Sequence, residues 1–492
     1  MSTSTLLIFI SVFIAIISLV FSVILYNQNK KLSTRTPSEI TQKNIEKLTS
    51  KYVKIEKRLQ DTFITSIELT NIRCFEKFKL DFRSTDKKAP AIWTMILGDN
   101  AAGKTTLLRS IALGLCSEGD AVSLMKEVPG DFVRKGEREG EIRVNLLNMD
   151  LGEEFTITTK IIKSSRDGSE TVRQNEEKSA EKLRDNIFVC GYGSQRSSSA
   201  ISSSEAYTPR ESLRMLFNYE SHLQNPEVIL LRQPLHIRNQ IEQKLIDILM
   251  LEPLDNEISY TPSGLEIAGP WGNISLESLS EGYRSTFHWI LDFLSWSIYA
   301  GSFSSHQGIG GIILIDELEQ HLHPKWQRYI VQKLQSQFPE TQFIATTHTP
   351  LVAAGVSDIQ DSILFRLEMD ESGHIISGQI DKEELKGKRA DQILASDAFG
   401  LVTSRSPKSI NKIDRYTELY IKKRNEVEEI EFNRLSDELD RDLVIGESRV
   451  KQIVEKALSK TLDQLLQSAP KRIIDLESKR KINELFKTDD SK

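Results

Sequence analysis

The sequence predicts an α/β fold built around a mainly parallel sheet, and three observations predict it. Short apolar runs that suit buried strands, Ala91–Leu97, Gly311–Ile315 and Gln342–Thr346, each precede a helix-like stretch. The first run enters a glycine-bounded loop whose far side, Thr106–Leu115, is helix-like, the strand–loop–helix order of a parallel α/β sheet. Elsewhere apolar and polar residues alternate, as a half-buried antiparallel lobe requires.

From its start, the chain opens on Leu6–Leu25, twenty residues without a charge, which as a helix would span roughly 30 Å, a bilayer core. This reads as a single transmembrane anchor over residues 1–26. A cleaved leader fits less well, because Met1–Thr5 has no Lys or Arg, the apolar run is too long and no small-x-small site follows. Residues 27–60 carry nine basic side chains against three acidic ones, so the positive-inside rule sets the body of the chain in the cytoplasm. In this linker Ile45, Leu48, Tyr52, Ile55 and Leu59 share a helical face, over too few heptads for a coiled coil. A head follows over residues 61–405. Ile64–Asn71 and Phe75–Phe82 form a hairpin that feeds the first buried strand, and Glu141–Lys163 alternates again. Seven serines within 194–204 mark a loop, and residues 210–250 lean helical. Residues 406–492 form a charged helical region in which Val450, Ile453, Val454, Ala457, Leu458, Thr461, Leu462 and Leu465 line one face before Pro470. Such a face packs on the chain's own body more readily than on a partner.

Composition narrows the function class. With 39% hydrophobic and 27% charged residues over 492, the chain is globular and of two to four domains, neither collagen-like nor disordered. Three cysteines, Cys74, Cys116 and Cys190, make no disulfide framework and fit a reducing compartment. The net charge is −6, and the linker's +6 leaves −12 for the remainder, so nucleic-acid binding is not advertised by charge, though a local basic groove is compatible with it.

The chemistry is carried by one loop and three strand or helix ends. Gly98, Asp99, Asn100, Ala101, Ala102, Gly103, Lys104 and Thr105, continued by Thr106, fit G-x-x-x-x-G-K-[ST], a pattern that would arise by chance about 0.02 times in such a chain. The spacing lets backbone N–H groups face a β-phosphate, Lys104 neutralise β/γ oxygens and Thr105 offer a hydroxyl to Mg²⁺ at a helix N-terminus. Gly311–Ile315 ends in Asp316 and Glu317: the first suits Mg²⁺ or its water, the second a general base that polarises the attacking water. Gln342–Thr346 leads to His348, placed to sense a γ-phosphate. Ser280 and Gly282, in Leu279–Arg284, open a long helical stretch and present a hydroxyl and backbone donors suited to phosphate.

In this order the set resembles the ABC-type ATPases of the SMC/RecF/OLD branch. Ile315–Gln327 with Thr346–Pro350 is most similar to stand-alone bacterial AAA/ABC-like ATPases of phage-defence modules, such as the Septu-type ATPase that works with a separate HNH nuclease. Asn71–Phe75, Gly191–Arg196 and Ala390–Ser396 share the likeness, which covers roughly residues 62–406. The resemblance implies a P-loop NTPase head of ABC/SMC-like form with an antiparallel β lobe and a helical lobe, binding ATP and Mg²⁺ and hydrolysing ATP. It implies a homodimer or higher homo-oligomer in which Ser280 and Gly282 of one copy meet the γ-phosphate held by Lys104 of another. It makes Glu317, His348 and Lys104 the catalytic set, Thr105, Asp316 and Gln195 the Mg²⁺ set, with Arg196 the alternative to Gln195, and it turns Arg73 towards the phosphates. A separate effector protein, such as a nuclease, would be the partner, and the anchor would sit in the bacterial inner membrane. The chain departs from the pattern at Ala101, often Gly, and at Glu281 and Tyr283, where Gly and Gln or Glu are usual.

His321 and His323 invite a metal reading, but in the family pattern they shape a dimer contact after the general base. Cys190 follows an apolar run and suits an inert thiol. No Ser-His-Asp signature appears, nor an obvious glutamate followed by an Asp-x-Asp strand, the mark of the OLD nuclease. Two further readings remain beside an ATPase that controls an effector: a nucleotide-switched scaffold recruiting through the tail, and an SMC-like DNA-handling head. A transporter subunit fits poorly, since one span forms no pathway.

Overall fold

In chain order the head begins with β1 (Thr62–Ile72), β2 (Phe75–Asp81), β3 (Trp93–Gly98), α1 (Lys104–Leu115) and α2 (Glu118–Met125). Next come β4 (Glu139–Asn148), β5 (Glu153–Lys163), β6 (Glu170–Asn175), β7 (Val189–Tyr192), α3 (Pro209–Phe217), α4 (Pro226–Arg232) and α5 (Leu235–Ile248). A small sheet of β8 (Glu257–Thr261), β9 (Gly264–Gly269) and β10 (Gly272–Ser275) precedes α6 (Glu281–Tyr299) and a ribbon of β11 (Phe303–Ser304) and β12 (Gly308–Ile309). The head ends with β13 (Gly311–Ile315), α7 (Pro324–Gln337), β14 (Thr341–Thr346), α8 (Pro350–Ser357), β15 (Ser362–Met369), β16 (Ile375–Ile380) and α9 (Ala390–Leu394). This computed structural model describes residues 62–83, 89–175, 184–196, 206–250, 257–261, 264–269, 272–304, 308–401, 406–422 and 424–442.

The central sheet has the order β16-β15-β3-β14-β13-β7, parallel throughout except for β16 at the edge. Its strands are buried on both faces, which is why they read as continuous apolar runs. Alternation sends Met95, Ile313 and Phe343 into one core beneath α6, α7 and α8, and Ile96, Ile312 and Ile344 into a second core beneath α1. The antiparallel lobe, β2-β1-β4-β5-β6, covers that second core from the other side. Gln342 joins the two sheets: its Nε2 donates to Ile64 O at 3.0 Å and Ala91 O at 3.1 Å, and its Oε1 accepts from Ile64 N at 2.7 Å. Around this sheet three described helices start on a side-chain cap followed by proline, at Thr208, His323 and Thr349, which fixes where their helical turns begin.

α6 carries a buried acid. Asp292 accepts from Tyr192 Oη at 2.9 Å and from Gln224 N at 3.0 Å, yet burial pushes its pKa up to about 6. The folded chain therefore holds a proton that the unfolded chain has lost, so this contribution is full below about pH 4 and disappears as pH rises through about 6, roughly 3 kcal/mol. Denaturation of the parent and Asp292→Asn across pH 4–8 checks it: the variant should flatten the slope and gain on the parent at pH 8, and equal slopes would refute it.

The described part of the second unit is a helical hairpin, α10 (Pro407–Ile421) and α11 (Glu426–Asp442). Tyr416, Leu419, Leu435 and Leu439 make its core, and Phe432 stacks on Tyr416 at 4.7 Å.

One expectation is corrected. Among the described residues no helix is long and apolar enough to cross a membrane. The longest, α6, has 19 residues, carries Glu281, Arg284 and Asp292, and spends its apolar side chains on the core. Leu6–Leu25, where the anchor was expected, lies outside the described residues, as do the 27–60 linker, most of the serine-rich loop and the Val450–Leu465 face. The single-pass architecture, the membrane as partner and the inner-membrane location are not retained.

Candidate nucleotide site

β3 ends on Gly98 and α1 starts at Lys104, so the loop between them is pinned by buried elements on both sides. Two glycines are required there. Gly98 has φ +146° and a Cβ would fall 2.4 Å from Leu367 O; Gly103 has φ +89° and a Cβ would fall 2.8 Å from both Cys74 Sγ and Phe75 Cζ. Ala101 takes φ +66° without a glycine's freedom. Lys104 Nζ arches back along the loop and donates to Gly98 O at 2.8 Å and Asp99 O at 2.9 Å. Burial lowers its pKa, against the pull of Asp316 and Glu317.

Behind the loop lies a hydroxyl–carboxylate chain. Thr105 Oγ1 donates to Asp316 Oδ2 at 2.6 Å, Thr346 Oγ1 donates to Asp316 Oδ1 at 2.7 Å, and Thr346 Oγ1 accepts from Glu317 N at 2.8 Å. Asp316 is 3% exposed, whereas Glu317 turns away at φ +50°, half-buried, its pKa raised by burial and then by Asp316 and Glu319. His348 N donates to Glu319 Oε1 at 2.6 Å, which ties the two strand ends together. The loop and the strand ends border a cavity of about 330 Å³. Asn100, Ala101, Gly103, Lys104, Thr105 and Thr106 line it from the loop, Asp316, Glu317 and His348 from the sheet, and Arg73 and Cys74 from the β1–β2 turn.

Other candidates sit differently. Arg73 reaches the cavity wall, but its Nε and Nη2 donate to Asp131 O and Pro129 O, both at 3.1 Å, and its guanidinium lies 4.3 Å from the Phe132 ring centroid. Gln195 is exposed and does not line the cavity, while Arg196 beside it is buried. Asp99 and Ala102 shape the loop, Ala102 N donating to Asp99 O at 3.2 Å, without lining the cavity. Ser280 is the exposed residue before α6, makes no capping bond and lies off this cavity. Gly282 packs on the loop after Glu317, where a Cβ would stand 2.3 Å from His321 O. His323 Nδ1 accepts from Lys325 N at 3.2 Å as the cap of α7, and no group of three or more potential ligands forms a metal cluster among the described residues. Cys190 is fully buried, its thiol pushed well above the usual range by burial. Sequence reasoning gave Thr346 and Glu319 no role of their own, although both lie in the strings that carry the resemblance, because what they do is to bond the ends of neighbouring strands together.

Two family models match the chain: an AAA domain described as a putative AbiEii toxin of a type IV toxin–antitoxin system over residues 169–354, and an AAA domain over residues 66–257. The Septu protein PtuA of Bacillus mycoides (strain KBAB4) is 30% identical over 404 residues, 78% of this chain and 51% of that protein. The Retron Vc95 probable ATPase of Vibrio cholerae serotype O1 biovar El Tor is 36% identical over 141 residues, 28% of this chain and 26% of that protein. The chain is related to the Septu protein PtuA and to the retron protein named a probable ATPase. Its motifs resemble those of this group. The chain spans about half the length, or less, of these curated relatives. A solved SMC head domain from Thermotoga maritima aligns with 65% of this chain and 99% of that one at 14% identity and a TM-score of 0.40, too slight a likeness to argue from.

Proposed function

We propose that this relative of the Septu and retron ATPases binds ATP with Mg²⁺ in the Lys104 cavity and hydrolyses it. The observation that carries the reading is the chain Thr105–Asp316–Thr346–Glu317, which gathers two hard oxygen donors and a half-buried carboxylate at the wall of one cavity. Thr105 Oγ1 and Asp316 fit Mg²⁺ by donor type, and the ion when bound supplies charge neutralisation for the β- and γ-phosphates. Lys104 binds the same oxygens from the loop, Glu317 takes the proton of the attacking water, and His348 meets the γ-phosphate. Because Ser280 and Gly282 lie off the cavity of their own chain, a second copy presents them to it, and hydrolysis then opens and closes a dimer. A partner effector, such as a nuclease in anti-phage defence, would be held or released by that cycle; the support for this role is the likeness to the Septu protein and the retron ATPases.

Equilibrium titration with a fluorescent ATP analogue tests the site. Lys104→Ala removes a charge-assisted contact with the phosphates and should weaken binding by about ten- to a hundredfold. Unchanged affinity would place the nucleotide elsewhere.

A further inference from the structure

Arg196 has no part in the reading above, yet it is 5% exposed and sits directly behind the candidate base. Its guanidinium serves three backbone carbonyls. Nε donates to Gly193 O at 3.0 Å, and Nη2 donates to Asp316 O at 2.6 Å and to Glu317 O at 2.8 Å. On another side the ring of Trp289, on α6, lies 6.0 Å from the guanidinium carbon. Arg196 remains cationic at neutral pH, since burial lowers its pKa only to about 10 while Asp316, Glu319 and Glu317 oppose the fall.

The two carbonyls at the end of β13 belong to the residues that would hold the metal and activate water. Glu317 stands at φ +50°, a left-handed conformation that a non-glycine residue keeps only when its surroundings over-determine it. Three elements hold this turn: β14, where Thr346 Oγ1 accepts from Glu317 N and Thr346 O from Leu318 N; Arg196 from the β7 side; and Gly282, whose close approach to His321 O presses the first turn of α6 against the loop that follows. A planar fork spread over fixed carbonyls holds backbone in a way that a single ammonium on a flexible stem does not.

We propose that Arg196 is a positioning residue for hydrolysis: it holds the Asp316–Glu317 turn in its left-handed form, so that the Glu317 carboxylate faces the cavity. It also connects that turn, through Trp289, to α6, the helix that follows Ser280. The kinetic consequence rests on the ATPase reading; the conformational one does not.

Arg196→Lys and Arg196→Met separate the two. Affinity for a fluorescent ATP analogue should stay within about twofold, because no nucleotide contact is lost, while kcat at saturating ATP falls about a hundredfold for Met and less for Lys, the scale of a misplaced catalytic group. A kcat within twofold of the parent in both variants overturns the proposal, as does an equal loss of affinity and turnover, which would mark a general collapse of the site. Should Arg196→Met fail to fold, Arg196→Lys carries the comparison. If the parent itself hydrolyses no ATP, the ATPase reading fails and a crystal structure of Arg196→Lys decides: Glu317 leaving the left-handed region supports the positioning role, and Glu317 still at φ near +50° overturns it.

Discussion

Glu317→Gln is expected to lower ATP turnover by about 10²–10⁴-fold while leaving ATP bound. Glutamine keeps the size of the side chain and the backbone contacts, from Glu317 N to Thr346 Oγ1 and from Arg196 and Gln320 N to Glu317 O, so the turn should survive. What disappears is a carboxylate able to accept a proton. Since burial and the neighbouring Asp316 raise the pKa of Glu317, the parent's kcat should fall as pH drops through a value above the ordinary glutamate range. The sign is fixed, because the base works only when deprotonated. The acidic limb should vanish from the residual rate of the variant. With hydrolysis blocked, ATP should also accumulate a species of doubled mass in light scattering, the dimer in which Ser280 of one copy meets nucleotide on the other. Turnover at the parental rate would remove Glu317 from the mechanism; a trapped nucleotide on a monomer would keep the base and remove the dimer.

How much of this could be read beforehand depends on the range of the interactions involved. The Gly98–Thr105 loop is legible because its requirements are local: two glycines whose positions admit no Cβ, a lysine and a hydroxyl in one turn. The strands of the central sheet are legible because burial on both faces makes them uniformly apolar. Gln195 and Arg196 show where the reading stops. They are adjacent, yet one is exposed and the other buried, and the choice is made by the path of the chain at Gly193, where a Cβ would stand 2.5 Å from Met215 O, more than twenty residues on. Arg73 is similar, since the carbonyls it serves are 56 to 58 residues away. An apolar run such as Leu6–Leu25 satisfies the length criterion for a span, but length and hydropathy alone do not establish where a segment resides.

Thr346 lies in a quoted string, yet its role as a link between two carboxylate residues is not legible there, and Thr346→Val should reveal its weight. On a buried strand a threonine reads as one more β-branched residue, and valine has nearly its shape. The hydroxyl, however, donates to Asp316 Oδ1 and accepts from Glu317 N within a fully buried position. Its removal strands a carboxylate oxygen and an N–H together, a destabilisation of about 1–3 kcal/mol for each group left unpaired. Turnover should fall about a hundredfold, because one of the groups that hold the Asp316–Glu317 turn beside Arg196 is gone while the loop that binds phosphate is untouched. Thr346→Ser decides the interpretation. Serine keeps the hydroxyl and loses the methyl group, so it should recover most of the rate and give up a modest packing term. If serine were as slow as valine, packing of the methyl group would be the cause and the Asp316–Thr346–Glu317 chain would have no role in orienting the base.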